Sequence, residues 1–281
     1  MTITTAKKNI ISATLCLYDE RESANIAILL IEWITGWSRT NQLMNRDTTL
    51  TPDQQISINA AIERLTTGEP IQYIIEKAWF MGMPFAVNSS TLIPRPETEE
   101  LVNWVLTDLT QQRPRILEIG TGTGCIPISL KLKQADAQLT AIDISATALA
   151  TAHNNALALE ARIDFMQLDF LDETNWMQLG HYDMIVSNPP YIRLQEKETM
   201  HQNVVGFEPH LALFVPDHDP LIFYRKIHAF AQQHLAKNGS IYLEINEALA
   251  TEVTNLFDNG YKVECRKDLQ GKDRMVMAVK K

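Results

Sequence analysis

The chain has 281 residues, 45% of them apolar, and a formal charge of −9. That length holds one large α/β domain and a small one. Without an uncharged apolar run of ~18 residues no membrane span is expected, and the excess of acid argues against bulk nucleic-acid binding through phosphate neutralisation and for a small-molecule or protein substrate, one with a basic surface.

Residues 1 to about 75 predict a small helical bundle of three or four helices. Ala24, Ile26, Ala27, Leu29, Leu30, Trp33 and Ile34 recur at helical spacing, and Gly36 stands where a C-terminal cap falls. Thr51-Pro52-Asp53-Gln54 reads as a capping box with proline at the first helical position. Residues 76–96 predict a β-hairpin that links two domains, with Trp79-Phe80, a turn near Gly82, Phe85-Ala86-Val87 and then the stiff Pro94-Arg95-Pro96. Glu97 to Leu109 follows as a helix.

From Arg115 onward strands and helices alternate, which predicts a doubly wound, mostly parallel α/β sheet over 97–281. The first four strands are placed at 116–119, 139–143, 164–168 and 182–187, and the fifth at 240–245. Asp219-Pro220 reads as the cap of a helix running to about Leu235. A last pair at 261–265 and 275–279 brings the sheet to seven strands.

The carboxyl ends of the first four strands carry the chemistry. They deliver Gly120-Thr121-Gly122-Thr123-Gly124, Asp143, Asp169-Phe170 and Asn188-Pro189-Pro190-Tyr191 to one edge, where open α/β sheets bind ligands. Glycines let a backbone approach a ligand closely. Cys125 stands where a dinucleotide fingerprint needs its last glycine. Asp143 suits the two hydroxyls of a ribose, and reads equally as a solvated strand-end acid. Asp169 and Phe170 suit an adenine edge and face; Phe170 reads equally as core. Glu118 reads as a strand residue or as a partner for a cationic amino-acid group. Two prolines end the fourth strand and leave the Asn amide oxygen, a proline C=O and an aromatic ring together. That set offers two acceptors and a stacking face to a planar NH₂ group. Asp183, near the start of that strand, reads as structural.

Cys16, Cys125 and Cys265 are odd in number and far apart, which fits a reducing cytoplasmic setting. The histidines lack metal-ligand spacing, and no signal peptide is expected at the polar start.

The run Glu118 to Gly124, then Asp143, then Asn188-Pro189-Pro190-Tyr191, resembles class I S-adenosylmethionine-dependent methyltransferases that modify planar NH₂ groups. Further stretches narrow the resemblance. They are Gly68-Glu69-Pro70-Ile71, Leu92 to Glu99, Gly206-Phe207-Glu208-Pro209 and Asp268-x-x-Gly271-x-x-Arg274. Together they resemble the HemK/PrmC family, the glutamine-N5 methyltransferases of peptide-chain release factors. The resemblance implies a Rossmann-like class I methyltransferase domain behind an N-terminal helical domain that recognises the substrate. It implies S-adenosyl-L-methionine as cofactor, S-adenosyl-L-homocysteine as product, and a class I release factor as protein partner, met by a monomer without direct nucleic-acid contact. Glu118, Gly120, Thr121, Gly122, Thr123, Gly124, Asp143, Asp169, Phe170 and Asn188 would hold the cofactor. Asn188, Pro189, Pro190 and Tyr191 would hold the glutamine, with Asn188, Pro189 and Tyr191 catalytic. Arg95 and Glu97 would order the linker or join the domains, and Glu208-Pro209 would belong to a lid or a plain turn. A ribosomal-protein glutamine, or an adenine or guanine amino group of nucleic acid, remains an alternative substrate.

Overall fold

Five helices fill the start of the protein in the computed structural model, which describes residues 1–281. They are α1 (Ile3–Thr14), α2 (Glu20–Thr35), α3 (Arg39–Met44), α4 (Pro52–Thr66) and α5 (Ile71–Ile74). The unexpected one is α1, whose Ile3, Ala6, Ile10 and Thr14 nevertheless share a buried face. Asp19 caps α2 and Gly36 closes it at φ +70°. Thr51 and Gln54 form the reciprocal capping box at α4. Ile10, Leu30, Ile31, Ile58 and Leu65 are buried together in one core. Contacts gather Met1–Lys77 and the distant segment His201–Phe207 into this first unit. Asn203 is hydrogen-bonded to Tyr18, and a Cβ at Gly68 would lie 3.7 Å from the Phe207 ring.

The second unit comprises Ala78–Met200 and Glu208–Lys281. Its hairpin, β1 (Lys77–Phe80) and β2 (Met83–Ala86), turns through Met81 and Gly82, both at positive φ, as tight hairpins prefer. The sequence predicts a linker over 76–96. Instead Phe80 and Phe85 meet edge to face at 6.1 Å and are fully buried beside Trp104 and Ile126. Apolar burial on that scale favours docking over an independent hairpin.

After α6 (Pro96–Asp108) come β3 (Arg115–Ile119), α7 (Cys125–Lys133), β4 (Gln138–Asp143), α8 (Ala146–Ala158), β5 (Asp164–Gln167) and β6 (Tyr182–Ser187). The long connection contains β7 (Ile192–Arg193), α9 (Gln202–Phe207), α10 (His210–Leu213) and β8 (Phe214–Val215). Last come α11 (Ile222–His234), β9 (Leu235–Glu244), α12 (Ala250–Phe257), β10 (Tyr261–Lys267) and β11 (Asp273–Lys280). Helix α11 starts later than expected and no side chain caps it; Asp219 pairs with Arg225 instead.

The sheet order is β10-β11-β9-β6-β3-β4-β5. From β9 to β5 the strands are parallel, and β11 and β10 add on antiparallel. Apolar clusters cover both faces, so the central strands are buried throughout. Strand β3 pairs with β4 on one side and β6 on the other. The strand order therefore reverses at β3, and its carboxyl end opens the crevice where ligands bind in such sheets. No helix is long and apolar enough to cross a membrane.

Candidate active site

The turn after β3 is shaped by left-handed glycines. Gly120 and Gly122 have φ of +81° and +53°, and a Cβ on either would meet nothing within 4 Å. The Gly120 and Thr121 N–H groups donate to Ile142 O, and Gly122 N–H donates to Asp143 Oδ2 at 2.9 Å. Asp143 Oδ1 accepts from Ser145 N–H at 2.9 Å. The strand-end acid is thus fixed by two backbone donors, and each oxygen keeps a lone pair for a ligand. Burial raises its pKa, against the pull of those donors. Gly124 does different work. At φ +77° it starts α7, and a Cβ there would press within 3.1 Å of Ala152 and Ile128. Its small size lets the start of α7 sit against Ala152 of α8.

Glu118 is fully buried in β3. Neither carboxyl oxygen has a hydrogen-bond partner, nor does Thr121 Oγ1. Burial pushes the Glu118 pKa up to about 8; the nearby Thr121 hydroxyl, though outside hydrogen-bond geometry, opposes the rise, and the Asp143 charge adds to it. A buried carboxyl left so is costly unless something else answers it.

A cavity of about 330 Å³ opens above these strand ends. Gly120, Gly122, Asp143, Asp169, Phe170, Asn188, Pro189 and Pro190 line it, so the structure brings these eight expected residues together. Thr121, Thr123, Gly124, Glu118 and Tyr191 are not part of the lining. Phe170 lines the cavity and also packs against Trp176 and Phe230, as its core reading requires. Asp169 accepts from Leu171 N–H. Ser90 to Leu92 and Pro209, Leu211 and Ala212 form further walls. These two loops are clasped by Glu208, whose side chain is 1% exposed. It accepts from Ile93 N–H at 3.2 Å and from the Arg95 guanidinium. Arg95 is thus a wall-to-wall tie within this unit, while Glu97 meets only Gln270, at 3.4 Å. Asp183 pairs with Arg115 at the far end of the strand, as its structural reading requires.

Asn155, Thr98 and Glu244 lie outside the cavity lining and brace Thr123, Asn188 and Tyr191. Asn155 on α8 bonds Ala86 in both directions and donates to Thr123 O at 2.9 Å, tying hairpin to glycine turn. Thr98 on α6 accepts from Asn188 Nδ2 at 3.1 Å and donates to Glu244 Oε2 at 2.6 Å. Glu244 Oε1 accepts from the Tyr191 hydroxyl at 3.0 Å. Burial raises the Glu244 pKa, offset by the two hydroxyls. Burial and the Glu244 charge push the Tyr191 hydroxyl well above its usual range, which keeps it a donor. Of the three, Thr98 alone had a signal in the sequence, its place in the Ile93 to Glu99 run.

Two family profiles match the protein: the PrmC N-terminal domain over residues 10–75, and the methyltransferase small domain over residues 98–206. A protein of Flavobacterium psychrophilum called release factor glutamine methyltransferase is 40% identical over 98% of both sequences. One of the same name from Bacteroides thetaiotaomicron is 41% identical over 93% of this sequence and 94% of its own. A solved methyltransferase of Pyrococcus furiosus shares the fold at TM-score 0.50, with 16% identity over 82% of this sequence and 98% of that one. The helical unit, the switch-point crevice and relatives that match from end to end agree, and the chain belongs to the release factor glutamine methyltransferase family.

Proposed function

We propose that this protein, acting as a monomer, transfers a methyl group from S-adenosylmethionine to a glutamine side-chain nitrogen, that of the Gly-Gly-Gln motif of class I peptide-chain release factors. S-adenosylhomocysteine is the other product. One observation carries the reading: Asn188 and Pro189 line the same cavity as Gly120 and Asp143.

The residues present fit an S-adenosyl group. Glu118 is a buried acid at the foot of the glycine turn, behind the cavity lining, and a cationic amino-acid end beside it would favour its charged form. Gly120 and Gly122 leave open space where any side chain would intrude. Asp143 has lone pairs for ribose hydroxyls, and Phe170 offers an aromatic surface in the cavity wall. When bound, the cofactor supplies a methyl group already attached to a positively charged sulfur leaving group.

The protein is left with an alignment problem. An amide nitrogen is a poor nucleophile because its lone pair is delocalised into the carbonyl. Asn188 Nδ2 is engaged with Thr98, which leaves Oδ1 as the end offered to a substrate. Oδ1 and the Pro189 C=O each accept one hydrogen of the glutamine NH₂ and turn the nitrogen toward the methyl. Holding two reactants in line lowers a barrier by roughly 7–11 kcal/mol. The same acceptors stabilise the positive charge that grows on nitrogen. The new nitrogen–carbon bond leaves an N-alkylated amide cation, whose proton passes to water, so no general base is needed. The helical unit contributes recognition of the factor.

Mixing protein, cofactor and release factor, then weighing the Gly-Gly-Gln peptide, tests the reading. We expect a gain of one CH₂ on that glutamine. Methyl found instead on a ribosomal protein or on RNA replaces the substrate assignment. Asn188→Ala is expected to lower kcat by about a hundredfold or more with a smaller change in cofactor Kd, as losing a transition-state contact requires. Equal losses in both would make Asn188 mainly a cofactor residue.

A further inference from the structure

Asparagine is an ambiguous clamp. Its carboxamide has an acceptor end and a donor end of almost the same shape, and turning it over costs little unless the surroundings choose. With the donor end toward the substrate, NH₂ would face NH₂, and the clamp would repel the group it must hold. Something in the site has to set the direction.

We propose that Thr98 and Glu244 are positioning residues whose hydrogen bonds fix which way round the Asn188 carboxamide is held. The inference rests on the clamp reading of Asn188 given above. The logic is one of proton counting. Against its burial, two hydroxyl donors and the Arg274 charge favour an ionised Glu244, and a carboxylate has no proton and only accepts. Glu244 is fully buried at the end of β9 and accepts a hydrogen bond at each oxygen, from Thr98 Oγ1 at 2.6 Å and Tyr191 Oη at 3.0 Å. Thr98 owns a single hydroxyl proton, and it is committed to Glu244. What Thr98 has left for Asn188 is a lone pair, so the end of Asn188 that reaches it, at 3.1 Å, must be the NH₂. Oδ1 is thereby turned away from Thr98. The reverse orientation would set Oδ1 against a Thr98 oxygen with no proton to offer. Direction thus passes from a buried charge, through one hydroxyl, to the substrate clamp.

Glu244 also serves the other end of the motif. Through Tyr191 it holds the last residue of Asn188–Tyr191, and Asn246, two residues on, donates to Tyr191 O at 3.4 Å. One carboxylate therefore references both ends of the four-residue clamp to β9.

The test compares Thr98→Val, Thr98→Ser and Glu244→Gln with wild type in steady-state methylation of the release factor. Cofactor Kd and melting temperature are measured on the same proteins. Valine matches threonine in shape and removes the hydroxyl; serine restores it. We expect Thr98→Val to lower kcat about tenfold, the effect of one lost hydrogen bond, with KM and cofactor Kd within about twofold. Thr98→Ser should recover most of that loss. Glu244→Gln introduces a donor beside Thr98, allows both directions, and should lower kcat as well. A Thr98→Val kcat within about twofold of wild type overturns the proposal. So does a Thr98→Ser variant as slow as Thr98→Val, or a cofactor Kd that moves in step with kcat. If Thr98→Val does not fold, a wild-type kcat in Glu244→Gln overturns it instead. Asn188→Ala separates the two claims. If it remains active, the clamp reading has failed; if it is inactive while Thr98→Val is normal, only the positioning role has.

Discussion

Glu118 shows how a single buried carboxyl ties stability to pH. Its pKa in the folded protein stands near 8, above the ordinary 4.5. The folded protein therefore holds a proton that the unfolded one has already released between those values. Stability falls as pH rises through that window and levels off above it. Glu118→Gln carries no charge to lose. Urea unfolding at about pH 5 and about pH 8 should show the variant gaining on the wild type by a few kcal/mol at the higher pH. An equal difference at both pH values would mean that Glu118 is answered within the protein. At this scale the sequence was most readable where a residue ends a strand. Asn188 and Asp143 stand out because strand ends of a doubly wound sheet face the crevice. Glu244 does not, and Thr98 is marked only by the Ile93 to Glu99 run that contains it. Their hydrogen bond spans 146 positions, and nothing local in a helix threonine or a strand-end glutamate announces it.

The glycine turn divides its labour between elements. Gly120 and Gly122 face the cavity, whereas Gly124 seats the start of α7 against Ala152 of α8. Gly124→Ala combines a positive φ with a Cβ 3.1 Å from Ala152 and Ile128. It should cost about 1–3 kcal/mol in urea unfolding, while cofactor Kd stays near that of the wild type. A raised Kd without lost stability would place Gly124 in the binding surface after all. A run of alternating glycines gives no hint of which one meets a ligand and which a helix, because that depends on where α8 returns. The hairpin shows the same limit. Its strands and turn were legible from Trp79 to Val87, but not its docking, which rests on Asn155 and the Phe80–Phe85 pair. Glu208 is the third case. Its clasp on Ile93 and Arg95 closes a loop of more than a hundred residues, beyond the reach of spacing rules.

The molecule as a whole is two units that do not divide the sequence at one point. The helical unit includes His201–Phe207, which lies inside the sequence of the sheet unit. Its Asn203 and Phe207 have Tyr18 and Gly68 of the helical unit as neighbours. Removing residues 1–77 should leave 201–207 without that support. Hydrogen exchange followed by mass spectrometry should then find its amides open, with β3 and β6 still protected. Unchanged protection at 201–207 would show that the sheet unit holds the segment by itself. A composition shift near residue 75 made the first boundary readable. The second passage was invisible, since six helical residues in a polar connection look like any other short turn of helix.

This threading has a consequence for synthesis. Helices α1–α5 leave the ribosome first, yet the segment that completes their unit emerges only after most of the parallel sheet has been made. A nascent polypeptide stopped before residue 207 presents Tyr18 and the Gly68 turn uncovered. The part of the enzyme born first is therefore among the last to be finished, and its completion reports that translation has passed the clamp and reached the Glu208 clasp.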